Sequence, residues 1–143
     1  MELEDLHFYG TPGYSLTAQR CKDKEHRDVA LIGLGKDGLG IPHSPYLTPR
    51  GNFGEAIAYL CGVGIRHFVF DLRTLHLSSN MTTAIAVAIN MRDFPVTSHF
   101  LGLDTTQTPL EPDWETKRHI RDWLKTIKKM NRPNLETAVT QRP

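Results

Sequence analysis

Cysteine is scarce in this chain. Two residues, Cys21 and Cys61, in 143 cannot build the framework of a small disulfide-held protein. Cys61 lies in an apolar helical pattern, where a free thiol acts as a small hydrophobe. Long hydrophobic runs are missing too, and no stretch approaches the ~18 residues a spanning helix needs. The start, "MELEDLHFYG", is acidic where a secretory leader has a basic segment followed by an apolar one. Neither sign of charge dominates: 17 Lys and Arg stand against 16 Asp and Glu, so the average charge commits to no partner. Internal repeats and low-complexity blocks are absent. These gaps leave a soluble protein without a membrane span, expected in the cytoplasm. Its length and its 39% of apolar residues suffice for one core.

Motifs for chemistry are also thin. "GLGKDG" sets Gly33, Gly35 and Gly38 in the G-x-G-x-x-G spacing after an apolar strand. A dinucleotide site needs that turn to open straight into a helix, and Pro42, Pro45 and Pro49 forbid one there. Seven histidines show no H-x-x-x-H spacing, and no C-x-x-C is present. His67 and His99, each near the start of a strand, are the pair a sheet can bring together. No G-x-S-x-G elbow marks a nucleophile. No catalytic residue, metal or cofactor is therefore expected.

What the chain does contain is alternation of strand and helix signals. Leu6, Phe8, Tyr14 and Leu16 alternate with polar neighbours around "GTPG", which reads as an N-terminal β-hairpin. "CKDKEHRD" (21–28) reads as a charged loop, and "VALIGLG" (29–35) as a strand buried on both faces. The Pro- and Gly-rich stretch 36–51 reads as loop. Phe53, Ile57, Leu60 and Cys61 take helical spacing behind an Asn52 cap, and Gly62 and Gly64 end that helix. "IRHFVFDL" is a second central strand, followed by a polar turn at 78–80. Asn80 is expected to cap a buried helix from Met81 to Met91. "VTSHFLGL" is the next strand. A last helix from Asp113 to about Met130 carries Ile120, Trp123, Leu124 and Ile127 as a one-sided apolar stripe. The expected architecture is one α/β domain over residues 1–130, with a mixed or mostly parallel sheet and helices packed on it, and a C-terminal tail over 131–143.

The run "GIRHFVFDLRTLHLSSNMTTAIAVAI" resembles the core of a STAS domain, the fold of bacterial anti-sigma-factor antagonists, over about residues 28–103. There a strand ending in Asp-Leu leads through a D-S-S/T-G-L turn into an apolar helix. Here the strand ends in Asp71 and Leu72, and the family's Asp-Ser pair falls on Ser79 and Asn80. The resemblance implies a non-enzymatic regulatory module that binds a protein partner through the turn and the following helix, with Asp71, Ser78, Ser79 and Asn80 as its contact residues. Asn80 stands where switch-bearing members carry a phosphorylated serine, so phosphorylation is left to Ser79 or Ser78. The alternative is a small-ligand-binding or hydrolytic α/β protein. Its pocket is expected near Asp71, Ser78 and the 36–50 loop, lined by His43, Arg50, Arg73 and His76.

The last helix concentrates charge. Residues 113–132 hold seven basic and three acidic side chains. Arg118, Arg121, Lys125 and Lys128 mark a stripe suited to nucleic acid, an acidic partner or anionic lipid, or simply to water and the helix C-terminus. A protein partner leads these expectations, with self-association and nucleic acid behind it.

Overall fold

The computed structural model describes residues 3–6, 17–34, 51–73, 77–104, 121–122 and 125–130, with residues 51–52, 55, 77–79 and 82 in backbone only. The strands are β1 (Leu3–Asp5), β2 (Thr17–Cys21), β3 (Val29–Gly33), β4 (His67–Asp71) and β5 (Thr97–Leu101). The helices α1 (Gly51–Gly62) and α2 (Leu77–Met91) link β3 to β4 and β4 to β5. The five strands lie side by side in chain order. β1 and β2 form an antiparallel hairpin, β2 pairs antiparallel with β3, and β3, β4 and β5 run parallel. This is the expected α/β fold with a mixed sheet and an N-terminal hairpin.

Both parallel crossovers step in the same direction across the sheet. Crossovers of a common right hand then put both helices on one face, and the core follows that rule. Ala30, Ile32, Phe68, Phe70 and Phe100 share a face and form one cluster with Phe53, Ile57 and Leu60 of α1 and Met81, Ile85 and Ala88 of α2. Phe70 is its hub, stacked at centroid distances of 6.3, 6.1 and 5.8 Å on Phe53, Phe68 and Phe100. Cys21, Val29, Val69 and Leu101 form a second cluster on the opposite pleat. β4 is thus buried on both sides, which is why its sequence is a continuous apolar run.

Helix boundaries depart from expectation in instructive ways. α1 starts at Gly51, so Asn52 lies inside it instead of capping it. Its end is a Schellman arrangement: Ile65 N–H donates to Leu60 O (3.0 Å) and Gly64 N–H to Cys61 O (3.1 Å), with Gly64 at φ +104°. α2 starts at Leu77, one turn before the expected Met81, and residues 83–89 are buried on every side. The 21–28 stretch is not simply loop. Cys21 ends β2, and Lys24–His26 form a 3₁₀ turn capped by Asp23, whose side chain accepts from Glu25 N–H.

The hairpin is present, with Leu3–Asp5 and Thr17–Cys21 as its paired strands. Phe8, Tyr14 and Leu16, expected to alternate in it, lie outside the described residues. Residues 121–122 and 125–129 are helical, and Ile127 is buried in the main cluster. The 131–143 tail lies outside the described residues.

Candidate functional site

In open α/β sheets ligands and partners gather at the carboxyl ends of parallel strands, and here three elements meet at that end. The register sets Asp71, the last residue of β4, beside Leu101 of β5. Leu72 N–H continues the pairing by donating to Leu101 O at 2.9 Å. Immediately beyond β5, Gly102 turns the chain at φ +79°, a conformation that favours glycine. A Cβ at that position would stand 2.6 Å from Arg73 Cγ.

Asp71 and Arg73 form a closed pair. The Asp71 carboxylate accepts from Arg73 N–H (3.0 Å), Nε (2.9 Å) and Nη2 (2.9 Å). Burial pushes the carboxyl up, but the hydrogen bonds and charge of Arg73 outweigh it and hold Asp71 below its ordinary value. The Arg73 side chain stays more than half exposed, with its fork oriented by the Asp71 carboxylate.

Asn80 occupies a different place from the one its residue type suggested. It lies in the first turn of α2, only 3% exposed. Its Nδ2 donates to Gly102 O at 2.9 Å, and its Oδ1 accepts from Asp104 N–H at 2.9 Å. The expected N-cap is therefore a tertiary clasp. Both polar ends of the side chain are used by the segment after β5, and the helix begins one turn earlier. Ser78 and Ser79 belong to this first helical turn and not to a turn preceding it.

Of the remaining expected contacts, the structure brings Asp71 and Arg73 together. His43, Arg50, His76 and the whole 36–50 loop lie outside the described residues, as does Arg118. Arg121, Lys125 and Lys128 are exposed, with Lys129, on helical residues whose Ile127 points into the core. Gly102 and Asp104 were missing from the sequence reading. The available signal was a glycine directly after an apolar strand, which marks a forced turn.

His67 and His99 do lie on adjacent parallel strands and on one face. His67 stands opposite Thr97, and His99 opposite Val69, one same-face position further along. Among the described residues the one group with ligand-like spacing is Asp23, Glu25 and His26, within 4.8 Å at the surface. Asp23 there serves the 3₁₀ turn and faces His26 Nδ1 at 3.3 Å. Among the described residues no helix is long and apolar enough to cross a membrane. Comparison with protein-family models, with curated proteins and with solved structures finds no match.

Proposed function

We propose that this chain is a STAS-like regulatory module that docks a protein partner where the first turn of α2 meets the end of the sheet. The observation that carries the reading is the Asn80 clasp, which fixes the start of α2 to the Gly102–Asp104 segment. A surface already ordered in the free protein loses little conformational freedom on binding. Arg73 adds an exposed, oriented cation to the same surface. An acidic or carbonyl-rich partner face suits that cation.

Regulation belongs to Ser79 or Ser78 in this reading, because Asn80 is buried and carries no hydroxyl. A phosphate in the first turn of a helix is favoured by the helix dipole. It also adds close to two negative charges to a surface whose oriented group is a guanidinium. Modification is expected to change partner choice without unfolding the helix.

The test is comparative. Proteins captured by the wild-type chain but lost with Arg73→Glu are purified and titrated against wild type, Arg73→Glu and Ser79→Glu. A loss of at least about tenfold in affinity for each variant, or ~1.4 kcal/mol, supports the docking surface. Equal affinities for all three proteins would remove it.

A further inference from the structure

At the other end of the parallel strands, side chains from two strands and the turn before a third come together. Asp28 is the residue entering β3, His67 opens β4 and Thr97 opens β5. His67 Nδ1 lies 2.6 Å from Thr97 Oγ1, and His67 Nε2 lies 3.4 Å from Asp28 Oδ2. We infer that Thr97, His67 and Asp28 form a hydroxyl–imidazole–carboxylate relay able to transfer acyl groups from small activated esters, an activity separate from partner docking.

The backbone builds the array. Asp28 O accepts from both Arg66 N–H (2.8 Å) and His67 N–H (3.0 Å), which pins the entry of β3 to that of β4. Thr97 N–H donates to Arg66 O at 3.0 Å, which pins β5 to the same point. His67 and Thr97 are register partners, so their side chains leave the sheet on one face. Asp28 lies in the turn before β3, and these backbone bonds tie that turn to the ends of β4 and β5. His67 and Asp28 are also a third to a half exposed, so solute reaches them from water.

The Asp28 carboxylate, 3.4 Å from Nε2, favours the neutral ring's proton on that nitrogen, which leaves the Nδ1 lone pair facing the Thr97 hydroxyl. That is the tautomer a general base needs. The nitrogens are exchanged relative to the common serine triad, but the roles are the same.

In the reaction Thr97 Oγ1 bonds to the ester carbonyl carbon as its proton passes to His67 Nδ1, and the carbonyl π pair moves onto oxygen. When that pair returns, the bond to the leaving-group oxygen breaks, and the leaving group takes the proton from His67. Water then attacks the Thr97 ester in the same way. It releases the carboxylic acid and restores the hydroxyl.

The probe is p-nitrophenyl acetate with the full chain at neutral pH. The wild type is expected to release nitrophenolate faster than buffer and to carry a transient acetyl group on the peptide containing Thr97. Thr97→Val and His67→Asn are each expected to lower the rate about a hundredfold, while Thr97→Ser retains it. Unchanged thermal unfolding separates loss of chemistry from loss of fold. If Thr97→Val does not fold, acetyl trapping on the wild type and on Thr97→Ser still decides. A wild type no faster than buffer, a Thr97→Val protein as fast as wild type, or acetyl found on His67 or a lysine instead would overturn the assignment. None of these results bears on partner affinity, so the docking surface stands or falls separately.

Discussion

Asn80 makes two hydrogen bonds that call for a carboxamide, because one end must donate and the other accept. Replacement by Asp leaves the contact to Asp104 N–H but turns an oxygen toward Gly102 O. Replacement by Ala leaves both backbone groups without this partner in a buried place. Each is expected to destabilise by about 1–3 kcal/mol, read as a lower urea midpoint. Faster amide exchange at Asp104 would accompany it, and a midpoint equal to wild type would mean the clasp holds nothing. Asp71 yields a prediction with a sign. Its folded carboxyl sits below the ordinary value through Arg73, so its stabilising contribution is complete above the unfolded carboxylate range. That contribution fades as pH falls through the lower, folded value. Asp71→Asn is therefore expected to be less stable than wild type near neutrality, by about 1 kcal/mol given the exposed Arg73 side chain. The gap should close in acid, and a gap that persists there would assign the effect to packing instead.

At the scale of elements, what was legible in the sequence was what burial alone dictates. β3, β4 and β5 announce themselves because short apolar runs bounded by glycine or charge have few other solutions in a sheet. α1 was legible from its spacing, and its end from Gly64, where φ is +104°. The start of α2 was not. Asn80 is among the best N-cap types, yet its side chain finds partners 22 and 24 residues away, and no local pattern carries that information. The Asp28–His67–Thr97 array was hidden for the same reason, since its members meet only once the parallel register is set. Element ends yield their own prediction. Gly102→Ala must accept φ +79° and displace Arg73 from a 2.6 Å contact. The expected loss is about 1–3 kcal/mol. Partner affinity should fall with it, whereas Gly62→Ala, where a Cβ meets nothing within 4 Å, should change neither. Equal midpoints for the two variants would show that the turn after β5 tolerates a side chain.

For the molecule as a whole, a sheet laid out in chain order has a gradient of burial across it. Phe68, Val69 and Phe70 of β4 are fully buried, between a helix-covered face and the second cluster. β1 is three residues long, and none of them is buried. It is held by pairing to β2 and by Glu4, which accepts from Arg20 Nε at 3.2 Å and from Arg27. Those ion pairs lie at the surface and are only part-buried, and pairs near the surface contribute little. The central parallel strands and the hairpin edge should therefore open in separate steps, the edge by local fraying and the centre only with the whole fold. Native-state hydrogen exchange in rising urea tests this. Amides of Phe68 to Phe70 should exchange with the full denaturant dependence of global unfolding. Those of β1 should exchange early and with little dependence on urea. If β1 and β4 instead shared one opening energy, the hairpin would be an integral part of the core. A docking surface at the far end of β4 and β5 would then feel mutations in Glu4 or Arg20, which separate opening forbids.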